Sequence, residues 1–337
     1  MTPSIHPQNV IALVWDFDKT LIPGYMQDPI FAEYGVDPGQ FWAETNALPG
    51  LYARMGVHLH PDIAYLNHLL NHVHFNRMPD LTNAKLRELG ARIVFHPGLP
   101  GFFRSLKEEL ARIPDAERFE LRLEHYIVST GLKEMIEGSA IRPYVDGIWA
   151  SEFLETPMPP GFDPDATLDL DGPRNTGMIP THAISQIAVA YDNTSKTRAL
   201  FEINKGSHVD AGIDVNAKMR EEDRRVPFDH MIYIADGPSD IPAFSVMRQF
   251  GGTAFAVYLD DDRTERSRLE SRRSLEQVER MRRDGRVDHY GPANYEPASP
   301  TAKWLTMRVG QVADAIIAER KAALKSRVGV APHHLPH

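Results

Sequence analysis

The sequence predicts an α/β fold, a doubly wound parallel sheet with helices on both faces, joined to a small helical domain. Three observations carry that reading. Short β-rich apolar runs recur at Ile11 to Trp15, Tyr126 to Ser129, Ile184 to Ala190, Met231 to Ala235 and Thr253 to Leu259, with longer amphipathic stretches between them. This is the alternation of strands and crossover helices that buries a parallel sheet on both sides. The stretch after the first run has helical periodicity near Gln40 to Met55, Pro61 to Arg77 and Thr82 to Ile93 with almost no strand signal, as a helical insert would. The length of 337 residues, 42% hydrophobic and 25% charged, suits a large core domain with such an insert.

Taken in order, residues 1–22 supply the first strand and 23–95 the helical domain. Residues 96–337 return to the sheet domain. The turn His96-Pro97-Gly98-Leu99-Pro100-Gly101 opens a helix from Leu99 to Ile113 that leads into the second strand. Residues 156–180 are rich in Pro, Gly and Asp without a period of either kind and read as an excursion. Beyond Asp260, Arg263 to Arg286 and Pro300 to Lys325 predict two helices around a tyrosine-bearing connection, and the tail from Ser326 reads as mobile.

Composition excludes several function classes. With 37 Lys and Arg against 46 Asp and Glu the formal charge is −9, which opposes nonspecific attraction to nucleic acid or an anionic membrane. The absence of Cys removes disulfides, thiolate nucleophiles and Cys-ligated zinc, so any metal sits on oxygen or imidazole. No apolar run approaches the roughly 20 residues of a membrane span, and the first ten residues lack the pattern of a secretory signal. A cytoplasmic protein is the expectation; the oligomeric state is not readable.

Chemistry gathers at strand ends. In Val14-Trp15-Asp16-Phe17-Asp18-Lys19-Thr20-Leu21 an apolar strand runs into two carboxylates, at the sheet edge where open α/β folds bind ligands. An Asx turn or cap is the plain alternative. Ile127-Val128-Ser129-Thr130-Gly131 ends the next run in hydroxyls, backbone N–H groups and a glycine suited to anionic oxygens. Tyr191-Asp192-Asn193-Thr194-Ser195-Lys196 opens a helix that could place a fixed positive charge, and Ile234-Ala235-Asp236-Gly237-Pro238-Ser239-Asp240 repeats the strand-to-acid pattern.

Together and in this order, the four segments resemble the signature of the haloacid dehalogenase (HAD) superfamily of phosphohydrolases. The helical insert after the first is similar to the small cap of its phosphoserine phosphatase-like subgroup. The resemblance spans Asp16 to Asp240 and implies a Rossmann-like core, bound Mg²⁺ and a small phosphorylated substrate. It implies Asp16 as nucleophile, forming an aspartyl-phosphate, and Asp18 as general acid and base. Ser129, Thr130 and Lys196 would hold the phosphoryl oxygens, Asp16, Asp18, Asp236 and Asp240 the metal, with Thr20 and Gly237 in support. Alternatives are a phosphotransferase with the same intermediate and a noncatalytic binding protein on the same fold. The Asp16–Asp18 pair favours phosphoryl transfer over dehalogenation. Where phosphoserine phosphatases hold the substrate ammonium with a glutamate this chain has Tyr25, which makes phosphoserine doubtful; Asp28, Glu33 and Arg54 are candidates to meet a charged substrate instead.

Other features have plainer readings. Phe31, Tyr34, Phe41, Trp42, Tyr52 and Tyr65 are expected to form the cap's small core, with one or two lining the cleft. His68 and His72 share a helix face as zinc ligands do, but Leu69, Leu70 and Asn71 between them include no glutamate of the protease arrangement, so structural histidines are favoured over ligands. The spaced acids from Asp163 to Asp171 lack the glycine and closing glutamate of an EF-hand and read as solvated.

Overall fold

The computed structural model describes residues 7–155, 160–161, 183–261 and 263–328. All of the Pro-rich stretch except Pro160 and Gly161 lies outside the described residues, as do its spaced acids and the tail beyond Val328.

Among the described residues the strands are β1 (Val10–Trp15), β2 (Arg122–Leu132), β3 (Gly147–Leu154), β4 (Gln186–Val189), β5 (Met231–Ala235), β6 (Thr253–Tyr258) and β7 (His289–Pro292). They form one sheet in the order β4-β3-β2-β1-β5-β6-β7, parallel throughout except for the β3–β4 pair. With β4 set aside this is the doubly wound order, and the direction of winding reverses between β1 and β5. The helices are α1 (Asp28–Tyr34), α2 (Pro38–Arg54), α3 (Pro61–His74), α4 (Asn83–Gly90), α5 (Gly101–Ala111), α6 (Lys133–Glu137), α7 (Ser195–Lys205), α8 (Ile241–Gln249), α9 (Glu265–Arg283) and α10 (Pro300–Val328). No helix among the described residues is long and apolar enough to cross a membrane.

All six side chains of β1 are buried because the sheet is covered on both faces. The period of two splits them between two cores. Ile11, Leu13 and Trp15 join Phe103 and Leu106 of α5, Leu305 and Val309 of α10, and Phe31, Phe41, Leu66 and Leu86 of α1–α4. Val10, Ala12 and Val14 join Ala199 and Leu200 of α7, Phe244 and Met247 of α8, and Val278 and Met281 of α9.

The structure corrects the expected strand set. β3 and β7 were not legible: β3 interleaves its apolar residues with Ser151 and Glu152, and β7 is a four-residue strand of His, Tyr, Gly and Pro whose register comes from β6. The run Ile184 to Ala190 is an antiparallel edge rather than a member of the parallel sheet, and Gln186, Ala188 and Val189 face solvent.

Helix α4 crosses α6 at a contact of two glycines. A Cβ on Gly90 would fall 2.2 Å from the Met135 carbonyl oxygen, and one on Gly138 would fall 1.9 Å from that of Arg87. No side chain fits there, so α4 is held against the sheet through α6. A second close approach lies beneath the first strand–helix loop. Gly98, at φ +88°, passes so near Tyr295 that a Cβ would lie 2.2 Å from its carbonyl carbon. The Tyr295 N–H donates to Pro97 O at 2.8 Å.

His125 sits in the β2 core in one fixed tautomer. Its Nδ1 accepts from Trp15 Nε1 at 3.2 Å, and its Nε2–H donates to the Phe103 carbonyl at 3.2 Å. Burial is the main reason its pKa drops from 6.5 to about 3. The unfolded chain therefore binds a proton below about pH 6.5 that the folded chain refuses until about pH 3, and the stabilisation present above 6.5 is lost as pH falls through that window. Buried carboxylates with raised pKa titrate with the opposite sign, so the effect is read as a difference. Between pH 7 and 5 the stability of wild type relative to His125→Gln is expected to fall by about 2 kcal/mol, measured by urea unfolding. An unchanged difference would show that the ring accepts its proton in the folded state.

Candidate active site

β1 and β5 pair in parallel and end side by side, with the Asp16 N–H donating to Ile234 O at 2.9 Å. This delivers Asp16 and Asp236 to the carboxyl edge of the sheet, at the point where the winding reverses. Asp240 follows at the start of α8. One carboxylate oxygen from each of the three lies within 4.8 Å of the others.

Lys196 reaches the same point from the other core. Asp192 Oδ1 accepts from Thr194 N at 2.9 Å, Ser195 N at 2.6 Å and Ser195 Oγ at 2.7 Å, which fixes the first turn of α7. From that turn the Lys196 ammonium, 1% exposed, donates to Asp16 Oδ1 at 2.7 Å and Asp240 Oδ1 at 2.6 Å. Thr20 Oγ1 donates to the other Asp16 oxygen at 3.1 Å.

Burial raises the Asp16 pKa to about 6 against the pull of Lys196. Asp18 rises to about 8, chiefly through burial and then through the neighbouring Asp16 charge. Its Oδ1 accepts from the Met26 N–H at 2.9 Å, which holds the carboxyl in place. Asp236 is raised well above the ordinary carboxylate range by burial and by Asp16 and Asp240. Burial opposes the charge of Lys196, but the two carboxylates outweigh it and hold the ammonium above the usual lysine value. Four carboxylates, Asp16, Asp18, Asp236 and Asp240, thus crowd around two ammonium groups, Lys196 and Lys19. The carboxylates outnumber the ammonium groups, and a donor set made only of oxygen suits a hard divalent cation such as Mg²⁺.

The structure brings Asp16, Thr20, Lys196, Asp236 and Asp240 into one cluster, with Asp18 at its rim. Asp18 and Thr130 line a cavity of about 110 Å³ with Tyr25, Trp42, Asp62 and Tyr65. Ser129 is buried and its Oγ accepts from Gly131 N at 3.0 Å, closing a tight irregularity in β2 rather than marking the strand's end. Gly237 is extended, and a Cβ there would lie 3.0 Å from the flexible end of Gln277. The Ala235 methyl is buried in the second core.

Several contributors were not legible in the sequence. Tyr233 OH donates to Asp240 Oδ1 at 2.6 Å, and Ser239 Oγ to its other oxygen at 2.9 Å. A lone hydroxyl in the apolar β5 run was the available signal. Tyr295 OH donates to Thr20 O at 2.7 Å, so the connection between α9 and α10 props the loop that follows β1. Tyr65 OH donates to Thr130 O at 2.5 Å, linking α3 to β2 at the cavity.

No family model matches the chain. An uncharacterized protein of Borreliella burgdorferi is 31% identical over 306 residues, which cover 90% of this chain and 97% of that protein. The chain belongs to that protein's family. Among solved structures it is similar to a probable phosphoserine phosphatase from Vibrio cholerae, at 12% identity and a TM-score of 0.47 over 94% of this chain and 68% of that one. It is also similar to a HAD family hydrolase from Salmonella enterica serovar Typhi, at 17% identity and a TM-score of 0.43 over 76% of this chain and 62% of that one. Both likenesses are partial.

The residues weighed as partners for a charged substrate are placed unevenly. Glu33 is held by Lys85 and Arg92, both at 2.6 Å. Arg54 is exposed at the end of α2. Tyr25 itself lines the cavity, its hydroxyl accepting from Lys19 Nζ at 2.8 Å. Of the six aromatics expected in the helical region, Phe31, Phe41 and Tyr65 are buried, while Trp42 and Tyr65 also line the cavity.

Proposed function

We propose that the chain is a Mg²⁺-dependent phosphomonoester hydrolase of the HAD superfamily, acting on a small phosphorylated metabolite through an aspartyl-phosphate on Asp16. The observation that carries this reading is the convergence of Asp16, Lys196, Asp236 and Asp240 at the winding reversal, with Asp18 beside them, its pKa pushed up to about 8 by burial and the Asp16 charge. Asp16, Asp236 and Asp240, with the Asp18 carbonyl, would hold Mg²⁺, which supplies charge neutralisation for a phosphate dianion.

In the first step an Asp16 oxygen forms a bond to phosphorus as the ester P–O bond breaks, and Asp18 gives its proton to the departing alkoxide. In the second, Asp18 takes a proton from water, whose oxygen attacks phosphorus and releases Asp16 and inorganic phosphate. Lys196 and Thr20 hold the Asp16 carboxylate in line, and Lys196, Ser129 and Thr130 steady the phosphoryl oxygens. Helices within 23–95 form the cap, with Trp42 and Tyr65 facing the leaving group. Its closure limits bulk water during transfer.

The test is phosphate release from a panel of phosphomonoesters. Activity is expected to fall to background in EDTA and to return with Mg²⁺. Full activity in chelator would remove the metal from the scheme, and a panel with no substrate at all would favour a noncatalytic role. Phosphoserine is expected to rank low, since Tyr25 provides no carboxylate for its ammonium.

A further inference from the structure

A second group of metal-ligating side chains lies in the helical region. Glu44 on α2 and His68 and His72 on α3 bring a carboxylate oxygen and two ring nitrogens within 4.8 Å of one another. Among the described residues only this group and Asp16, Asp236 and Asp240 are so arranged. Spacing of i and i+4 places the two imidazoles on one face of α3, their ring centroids 4.8 Å apart. Glu44 approaches from the facing helix, with Oε2 at 3.0 Å from His68 Nε2.

The group is oriented from behind. Phe41 lies against both rings, with centroids at 4.7 Å and 5.4 Å, and Gln40 Nε2 donates to Glu44 Oε1 at 2.7 Å. A hydrogen bond between Glu44 and His68 accounts for one ring nitrogen and leaves His72 unexplained. Nδ1 of His72 is buried without a partner, as is Nδ1 of His68, a residue only 8% exposed. Such orphans cost about 1–3 kcal/mol each, and a cation removes that cost only at the nitrogen it binds. Glu44 and His72 also line a cavity of about 440 Å³ with Tyr34, Asp37 and Arg77, which gives an ion a route in and room for solvent ligands.

We propose that Glu44, His68 and His72 bind one divalent transition-metal ion of the zinc class, tying α2 to α3 with a remaining coordination position open to the cavity. Two imidazoles select such ions over Mg²⁺ or Ca²⁺, which prefer oxygen. Three protein ligands with one position left to solvent is an arrangement that tetrahedral zinc accepts. The site is independent of the phosphohydrolase reading.

The test uses the full chain and Co²⁺ as a visible probe, with Mg²⁺ in excess. One Co²⁺ per chain with a tetrahedral absorption spectrum is expected, displaced by Zn²⁺ and retained in Asp236→Asn. Affinity is expected to fall about tenfold or more in Glu44→Gln and in His72→Gln. Glu44 is well exposed, so its variant should fold even if that of His72 does not, and circular dichroism checks both. Absence of bound Co²⁺ in wild type, loss of binding in Asp236→Asn, or unchanged affinity in folded Glu44→Gln would each overturn the proposal.

Discussion

Asp16→Asn is expected to lower phosphate release by about 10⁴-fold or more while leaving the fold intact. The size follows from removing a nucleophile rather than a positioning group, since single losses of that kind erase most of an enzyme's rate advantage. Retention of the fold follows from the contacts. The asparagine carbonyl can still accept from Lys196, which keeps Asp240 as its charged partner at 2.6 Å. Deleting one charge also relieves Asp236, whose protonation is favoured by Asp16. Stability within about 1 kcal/mol of wild type is therefore expected by urea unfolding, and the pair of measurements separates chemistry from folding. Substantial turnover by a folded Asp16→Asn protein would remove Asp16 from the nucleophile role.

Legibility in the sequence followed from how local each signal was. Asp16 and Asp236 could be read because each ends an apolar run that is buried on both faces, so strand and acid are announced together. Lys196 could be read as a fixed positive charge at a helix start but its partners could not, because its approach to Asp16 depends on packing of α7 rather than on a neighbouring motif. Tyr295 and Thr20 meet across most of the chain, and nothing near either residue signals the pairing. Helices α2, α3 and α4 were visible from their period, whereas the short α1 was not, and neither was the glycine crossing of α4 on α6, since a glycine's reason for being there lies in the other helix. The same limit applied to His68 and His72. A search along the chain asks for a glutamate between them, whereas Glu44 comes from the facing helix.

Lys196→Met is expected to damage stability and catalysis together. The ammonium is almost fully buried between Asp16 and Asp240, and the Met stem fills the space without replacing the charge. Removing one partner from a buried ionic group leaves the others uncompensated, at a cost of about 3–5 kcal/mol. The crowded carboxylates can escape that cost only by taking up protons, which would neutralise Asp16 as a nucleophile. Loss of a preorganised cation at the transferring phosphoryl group adds a fall in kcat of about 10²–10³ on its own. The two effects separate in the double variant Lys196→Met with Asp240→Asn. With one negative charge fewer, the denaturation midpoint should recover part of its loss, while kcat stays low because Asp240→Asn restores no cation. A Lys196→Met protein with the wild-type midpoint would mean that solvent or a bound cation already compensates these acids. A double variant no more stable than the single one would mean that packing, rather than charge, fixes the position of α7.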